Sequence, residues 1–347
     1  MITINPINAR NWSRLGPRGT FGLDLLDMGS QDENLLVLSA DLCTTSGLDR
    51  FRLAYPDRFI NTGIAEQNML GIAGGLAKEG YKVFCSSFAA FASMRSYEMV
   101  KLNLGYMGFD IKVVGLAAGF AMGMFGNTHY ATEDIALMRA VPGLCIISPA
   151  DCAEVVKATR AATLYDGPVY LRLTGKAGNP IVYQNEYEFE IGRAITLREG
   201  DDIAIIAAGR MVYESIEAAK LLEAKGISAT VIDMHTIKPL DTSVIDRSLD
   251  KKLIVTVEEH SVIGGLGGAV AEYKCGLKTA PPQLILGIED RFKKAGSYKY
   301  MLEQNRLTAL HIADSIMERI RQQIRNGAVK PFSANGNWEK DLSMITK

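Results

Sequence analysis

Residues 61–77 combine one carboxylate with an apolar, glycine-rich helical pattern. Glu66 stands near the start of this pattern. A carboxylate beside an apolar face is costly to bury unless a partner takes up its charge or its proton. The segment therefore predicts either proton transfer by Glu66 or a capping or ion-pair role, and Glu66 taken alone supports the two about equally. The apolar residues at helical spacing are Ile64, Ala65, Met69, Ile72, Ala73 and Leu76.

Other candidate groups carry weaker signals when each is taken alone. Phe88 and Phe91 are typical of a hydrophobic core, and His129 after Thr128 is typical of a loop histidine. The four histidines show no metal-ligand spacing, so we expect no protein-ligated zinc site. No Gly-x-Ser-x-Gly elbow is present, which argues against a serine hydrolase of the common α/β type.

Composition excludes several classes of function. The chain has 347 residues, 48% of them hydrophobic and 22% charged, which predicts two globular domains. A net charge of −1 gives no electrostatic basis for binding nucleic acid or an anionic membrane. Five scattered cysteines, none in a Cys-x-x-Cys pair, predict reduced thiols in a cytoplasmic protein. We see no signal peptide and no apolar run of membrane-spanning length.

Short apolar runs alternate with helical patterns in the first half of the chain. This alternation predicts an α/β fold whose mostly parallel sheet is covered by helices. The predicted strands are residues 35–40, 82–87, 111–116, 144–147 and 168–173. The predicted helices are residues 65–79, 92–104, 133–140 and 151–164, the last with Asp151 as its N-cap.

A second alternation follows a break rich in Gly, Asn, Pro and Tyr at residues 174–190. We therefore place domains at residues 1–183 and 190–325, followed by a polar tail at 326–347. The predicted strands of the second unit are residues 203–208, 228–233, 253–258 and 283–288. Its predicted helices are residues 212–225, 265–273 and 307–325.

The order of the motifs is more specific than any single motif. In this order the sequence resembles the C-terminal half of transketolase, a pyrimidine-binding domain followed by a smaller α/β C-terminal domain. Split transketolases of the archaeal type are the most similar, with deoxyxylulose-phosphate synthase and the beta chains of 2-oxo acid dehydrogenases as relatives. The motifs are Ser39-Ala-Asp41-Leu42, Gly63-Ile-Ala-Glu66-Gln, Phe88-x-x-Phe91 with Arg95-Ser-Tyr97, Gly126-Asn-Thr128-His129, Glu133-Asp134, Pro149-Ala-Asp151, Met234-His-Thr-Ile-Lys238-Pro and Glu258-Glu-His260.

The resemblance implies a site for thiamine diphosphate. Glu66 matches the glutamate that hydrogen-bonds the aminopyrimidine and assists its proton transfer, a form of general acid–base catalysis. Phe91 matches the aromatic side chain that stacks on the pyrimidine, and Phe88 lines the same pocket. Asp41 and Leu42 match positions beside the cofactor.

The resemblance also implies substrate-binding residues. His129 matches a histidine that exchanges protons with substrate hydroxyls, and imidazole suits this role near neutral pH. Arg18 matches an arginine that holds the substrate phosphate. Thr45 stands where the family has a phosphate-binding serine. Gly175 replaces a second phosphate-binding arginine, with Lys176 adjacent as a possible substitute.

The family motif for the metal and the diphosphate is missing. Thiamine enzymes hold these groups through Gly-Asp-Gly and a later Asn, and residues 200–202, Gly-Asp-Asp, do not fit it. We therefore expect no metal ligand in this chain, and Mg²⁺ or Ca²⁺ ligands on a separate N-terminal subunit. The expected assembly is a homodimer of this chain, joined through the Glu66 helix, within a heterotetramer with two copies of each chain.

Four departures from the family pattern make the substrate channel less polar: Phe125, Ala117, Gly175 and Tyr130 replace polar or cationic side chains. We expect transfer of a two-carbon ketol unit from a ketose to an aldehyde acceptor, with an unusual sugar or sugar phosphate as substrate. One alternative is a decarboxylating enzyme that takes an acyl or ketol unit from a 2-oxo acid. Another is a non-catalytic structural subunit, which the ordered retention of Glu66, Phe91 and His129 disfavours.

The tail predicts a simple truncation result. Glycine and proline interrupt the helical periodicity after Arg325, and Trp338 is the one tryptophan of the tail. Deleting residues 326–347 should leave the thermal midpoint of the isolated chain nearly unchanged, because the tail lies outside the predicted core. Differential scanning calorimetry of both lengths checks this, and a drop of many degrees would show that the tail is structural.

Overall fold

A computed structural model describes residues 2–327, so nearly all of the predicted tail lies outside the described residues. Helices and strands alternate along the first half, as predicted. The helices are α1 (Pro6–Gly29), α2 (Asp49–Ala54), α3 (Glu66–Lys78), α4 (Tyr97–Met99), α5 (Asp134–Arg139) and α6 (Cys152–Leu164). The strands are β1 (Leu35–Ser39), β2 (Phe59–Asn61), β3 (Lys82–Phe88), β4 (Ile111–Ala118), β5 (Cys145–Ile147) and β6 (Val169–Thr174).

The second half repeats the alternation around another sheet. Its strands are β7 (Ile195–Arg198), β8 (Ile203–Ala207), β9 (Ala229–Asp233), β10 (Thr236–Lys238), β11 (Leu253–Ser261) and β12 (Gln283–Ile288). Its helices are α7 (Met211–Glu223), α8 (Thr242–Asp246), α9 (Leu266–Cys275), α10 (Tyr298–Gln304) and α11 (Ala309–Arg325).

Both sheets are mostly parallel, which confirms the predicted fold class. The first has the strand order β10-β5-β6-β4-β3-β1-β2, and the second has the order β12-β11-β8-β9-β7. Each has one antiparallel edge strand, β10 and β7 respectively. Strand β10 comes from the second half of the chain but pairs with β5, so the first sheet includes residues from both halves.

Several helical segments differ from the prediction: the short helices α2, α8 and α10 were not predicted, and two longer segments differ as well. Helix α1 was not predicted because Gly16 and Pro17 interrupt its pattern; it continues through a kink where Gly16 has a φ of 78°. The predicted helix at residues 92–104 is instead two wide π-helical segments, Phe91–Arg95 and Val100–Tyr106, on either side of α4. The wider turns change which side chains of this segment share a face.

Arg172, on β6, is a nearly fully buried cation that joins three segments. Its Nε donates to Asp134 Oδ2 at 2.8 Å, and its Nη2 donates to the carbonyls of Ala131 at 3.2 Å and Glu259 at 3.0 Å. Burial alone would lower the pKa of Arg172, but the charge of Asp134 raises it above the ordinary value. The guanidinium therefore stays charged and ties α5 and β11 to the first sheet.

Breaking this ion pair should destabilise the chain strongly. Asp134→Ala leaves a buried guanidinium without its counter-charge, so we expect a loss of about 3–5 kcal/mol in the free energy of unfolding. Glu190→Ala is the control, because its pair with Arg193 is exposed and should change stability by only about 0.5 kcal/mol. Urea unfolding at one fixed protein concentration compares them. Equal effects of the two substitutions would contradict the structural role of Asp134.

Two further expectations concern the whole described chain. All five cysteines are unpaired, four of them buried and Cys275 exposed, in agreement with the prediction of free thiols. Within residues 2–327, the structure contains no helix that combines the length and apolar character needed to cross a membrane.

Candidate active site at the carboxyl edge of the first sheet

The predicted site residues follow the carboxyl ends of parallel strands. Because β1, β2, β3, β4 and β6 run parallel in one sheet, these ends lie along a single edge. Ligands of open α/β sheets bind at this edge. The side chains that follow these strands are Asp41, Leu42 and Thr45 after β1, Glu66 after β2, Phe91 after β3, His129 after β4 and Lys176 after β6, with Phe88 the last residue of β3.

Glu66 is a buried carboxylate with two partners. It is the first residue of α3 and is only 1% exposed. Ser87 Oγ donates to its Oε1 at 3.1 Å, and Arg95 Nη1 donates to its Oε2 at 2.8 Å. An anionic side chain at a helix N-terminus is also favoured by the helix dipole. The predicted need for a partner is therefore met within the chain.

Arg95 contacts Glu66 and Phe91, a role that the sequence did not reveal although the motif containing Arg95 was recognised. Its guanidinium carbon lies 4.2 Å from the centroid of the Phe91 ring while it pairs with Glu66. A cation over an aromatic face is attracted by the ring's electrons. The signal that could have identified it is the charge of Glu66 itself, since a buried acid requires a base nearby. Arg95 thus holds the carboxylate and the aromatic ring in one arrangement.

His129 lies within an aromatic cluster. Its ring centroid is 5.3 Å from that of Phe91, 6.3 Å from Phe88 and 5.1 Å from Phe125. The Thr128 hydroxyl lies 3.0 Å from His129 Nδ1. Phe125, the predicted replacement for a polar side chain, is 63% exposed and lies beside the histidine. The structure therefore brings the rings of Phe88, Phe91 and His129 together.

The backbone at this edge adopts unusual conformations. Asp41, just after β1, has a φ of 58°. Ala117, near the end of β4, has a φ of 56°. Left-handed φ at non-glycine residues costs energy and often marks functional sites. Asn61 holds Asp41 in place: its Oδ1 accepts from the Asp41 N–H, and its Nδ2 donates to Asp41 Oδ1, both at 3.1 Å. Leu42 is half-buried against the core below.

Three donor residues lie on neighbouring segments whose backbones contact one another. Within residues 2–327, Arg18, Thr45 and Lys176 have no side-chain hydrogen bond or ion pair. Their backbones are close: a Cβ at Gly47 would lie 3.0 Å from the Arg18 carbonyl oxygen, and one at Gly16 would lie 2.9 Å from the Lys176 carbonyl carbon. Burial lowers the pKa of Arg18. A partly buried guanidinium without a counter-charge can bind an anion. We call these three residues the anion corner.

Within 2–327 no group of three or more His, Cys, Asp or Glu side chains is arranged to hold a metal ion. The residue run 200–202, which does not fit the metal motif, has structural contacts instead. The Gly200 N–H donates to Thr230 Oγ1 at 3.0 Å, and Asp202 Oδ1 accepts from Lys252 Nζ at 2.8 Å.

Comparison with known proteins decides the family. The family described as "Transketolase, pyrimidine binding domain" matches residues 17–179, and "Transketolase, C-terminal domain" matches residues 192–312. A putative transketolase C-terminal section from Methanocaldococcus jannaschii is 41% identical over 310 residues, which cover 89% of this chain and 97% of that protein. The chain belongs to the transketolase family.

Two further relatives of this transketolase chain have separate subunits. The 6-deoxy-6-sulfo-D-fructose transketolase subunit SqwH of Clostridium sp. is 40% identical, with coverage of 87% of this chain and 93% of SqwH. A solved structure titled split gene transketolase, inactive beta4 tetramer, is 37% identical and has a TM-score of 0.79. The match covers 88% of this chain and 97% of the chain in that structure. Membership in the family implies thiamine diphosphate, and a split transketolase implies a separate N-terminal subunit within a multi-subunit assembly.

Proposed function

We propose that this chain is the pyrimidine-binding subunit of a two-component transketolase that transfers a two-carbon ketol unit from a ketose to an aldehyde acceptor. The observation that carries the proposal is the buried Glu66 carboxylate beside Phe91 and His129 at the carboxyl edge of the first sheet. A structural subunit does not require a buried acid and an aromatic cluster at an open edge.

The residues of this edge fit the aminopyrimidine of thiamine diphosphate. A carboxylate offers about four lone-pair sites. Ser87 and Arg95 use one hydrogen bond each on Glu66, so a carboxylate oxygen retains a lone pair that can share a proton with a ring nitrogen of the pyrimidine. Phe91 is half-buried and offers a flat apolar surface for a ring to stack on. Phe88 and Leu42 supply apolar walls, and Asp41 lies on the exposed side.

Thiamine diphosphate, when bound, supplies the nucleophilic carbon that carries the two-carbon unit. In our proposal Glu66 accepts and returns a proton at its Oε atoms, next to the stacking ring. Arg95 supplies the compensating charge and fixes the carboxylate's orientation. Ser87 donates a hydrogen bond to the other oxygen of the same carboxylate and so limits its rotation. The protein thus provides orientation and proton transfer, as expected for a cofactor enzyme.

His129 would handle the protons of substrate hydroxyls. Thr128 hydrogen-bonds its Nδ1, which leaves Nε2 for substrate. The aromatic rings around it exclude water from one side. A histidine held in this way can accept a proton from one hydroxyl and return it to another.

The substrate would be an anionic ketose with a modified carbon chain. The anion corner would hold a terminal phosphate or sulfonate, with Arg18 as the main cation and Thr45 and Lys176 as further donors. Phe125 and Ala117 cannot hydrogen-bond sugar hydroxyls, so this channel should favour a deoxy or otherwise modified sugar. SqwH, the sulfosugar relative, is named for a substrate of this kind.

The partner and assembly complete the proposal. An N-terminal subunit would carry the Mg²⁺ or Ca²⁺ ligands and hold the diphosphate. The homodimer of this chain would form through α3, where Cβ atoms at Gly71 and Gly75 would have nothing within 4 Å in the described residues. Exposed Ile64, 75% accessible, extends that surface. We propose a heterotetramer with two copies of each chain, located in the cytoplasm because the thiols are free.

Glu66→Gln tests the proton-transfer role. The amide keeps the side chain's shape but loses its acid–base function, so turnover of the reconstituted pair should fall by about 10³-fold or more. Glu79→Gln, at the exposed end of the same helix, is the matched control and should be silent. Steady-state assays and thermal unfolding of both variants are compared. Turnover of Glu66→Gln within tenfold of wild type would remove Glu66 from the mechanism.

Reconstitution tests the function and the substrate class. The isolated chain should show no turnover, because half of the site is on the N-terminal subunit. With that subunit, thiamine diphosphate, Mg²⁺ and glyceraldehyde 3-phosphate as the aldehyde acceptor, we expect a kcat/KM of about 10⁴ M⁻¹s⁻¹ or more for 6-deoxy-6-sulfo-D-fructose. Xylulose 5-phosphate with ribose 5-phosphate as acceptor should be at least about 100-fold poorer.

Three other outcomes of this assay have clear meanings. Efficient use of xylulose 5-phosphate would overturn the specificity claim but not the thiamine chemistry. Release of carbon dioxide from a 2-oxo acid, with no ketose turnover, would identify a decarboxylating enzyme. Absence of turnover on every substrate, in a pair that binds thiamine diphosphate, would indicate a structural subunit.

A further inference from the structure

The segment that carries His129 is a loop with turn hydrogen bonds of its own, among them the His129 N–H to the Gly126 carbonyl at 2.9 Å. We define the His129 loop as residues 119–131, between β4 and α5. Its ends pair through Gly119 and Ala131, whose N–H groups donate to each other's carbonyls at 2.9 and 3.3 Å. Inside the loop, the Tyr130 hydroxyl donates to the Gly123 carbonyl at 2.7 Å. Arg172 of the first sheet donates to the Ala131 carbonyl at the end of the loop, and further hydrogen bonds to the loop come from the second half of the chain.

Glu259, on β11, is the main external anchor of this loop. It is 1% exposed, and its Oε1 accepts from the Phe120 N–H at 2.6 Å. Its Oε2 accepts from the Tyr298 hydroxyl at 2.6 Å. Gly119 has a φ of 65°, and a Cβ there would lie 2.4 Å from Glu259 Oε1, so the loop closes directly onto this carboxylate. Hydrogen bonds to a charged acceptor are short and strong.

The segment before α10 contacts the same loop. The Gly296 N–H donates to the Gly123 carbonyl at 3.1 Å, and Asn127 Nδ2 donates to the Lys293 carbonyl at 3.0 Å. A Cβ at Gly123 would lie 2.5 Å from the Gly296 carbonyl oxygen, so the two backbones are in close contact. The loop is thus held near both of its ends and at Asn127, two residues before His129.

Tyr298 also borders the anion corner. Lys176 Nζ lies 6.0 Å from the centroid of its ring, and the guanidinium carbon of Arg210 lies 5.3 Å from it. The ring therefore faces the corner's lysine, while the hydroxyl bonds Glu259 under the His129 loop. One side chain connects the two parts of the site.

We infer that Glu259 and Tyr298 are positioning residues that place His129 for reaction, and that this is a task of the second half of the chain. The inference rests on the proposed function, because it assigns His129 a role in turnover. Misplacement of a reacting group by about 1 Å can cost about 10²-fold in rate. A carboxylate that orders the loop from beneath therefore affects turnover without touching the substrate.

Tyr298→Phe tests the inference, with Tyr300→Phe as the matched control. Tyr298→Phe keeps the ring facing Lys176 and removes the hydroxyl bonded to Glu259. Tyr300 lies on the same helix, is 40% exposed, and its hydroxyl has no hydrogen bond among the described residues. Both variants are made in the full chain and assembled with the N-terminal subunit, thiamine diphosphate and Mg²⁺.

Amide hydrogen exchange of the His129 loop is the first measurement. In Tyr298→Phe, the Phe120 and Ala131 amides should exchange about tenfold faster or more, while Tyr300→Phe matches wild type. The second measurement is steady-state turnover of 6-deoxy-6-sulfo-D-fructose, which should fall about tenfold in kcat. The Kd of thiamine diphosphate should stay unchanged, because Glu66 and Phe91 are not altered. Glu259→Gln, which removes the charge that both Phe120 and Tyr298 donate to, should increase exchange at least as much as Tyr298→Phe.

The outcomes separate this inference from the proposed function. Unchanged exchange in Tyr298→Phe, or faster exchange with unchanged kcat, overturns the positioning role. Faster exchange with a matching fall in kcat supports it. Loss of turnover in Glu66→Gln alone, with Tyr298→Phe at wild-type activity, keeps the thiamine function and rejects the positioning role. If the wild-type pair turns over no substrate, the proposed function fails first and the positioning role with it.

Discussion

A buried guanidinium, that of Arg172, fixes how the active-site edge meets the second half of the chain. Removed from water, the charge of Arg172 must be matched by acceptors, and these come from two segments: residues 131–134, through the Ala131 carbonyl and Asp134, and β11, through the Glu259 carbonyl. Neither segment can shift alone without leaving a buried charge unsatisfied. Ala131 ends the His129 loop, and Glu259 supports the start of that loop, so the same requirement also places the histidine.

The sequence predicted the regular core well because period and burial agree there. Helix α3 and strands β1, β3, β4, β6 and β8 carry uniform apolar or helical patterns, and Asp151 caps α6 as expected. The short strands β2, β7 and β10 were missed because three or four residues carry too little pattern. The tertiary neighbours, which no local pattern encodes, decide that these segments become strands.

The sequence proposed the members of the candidate site, but it did not predict how they are connected. Motif order identified Glu66, Phe91 and His129, and the parallel sheet explains why the strand ends bring them together. The partner of Glu66 was not predicted, since π-helical turns at Phe91–Arg95 set the direction of Arg95. Glu259 was part of a recognised motif, yet its contact with Phe120 joins residues 139 positions apart. Such long-range contacts are a property of the fold and not of any local segment.

Strand β10 restricts where a gene for this enzyme can be divided. It leaves the second half of the chain, covers the edge of β5 in the first sheet, and the chain then returns to the second sheet. A break between the two halves would deprive β5 of this neighbour and expose the backbone of an apolar edge to pairing with other chains. The two sheets of this chain are therefore best inherited together, because a cut between them would separate paired strands.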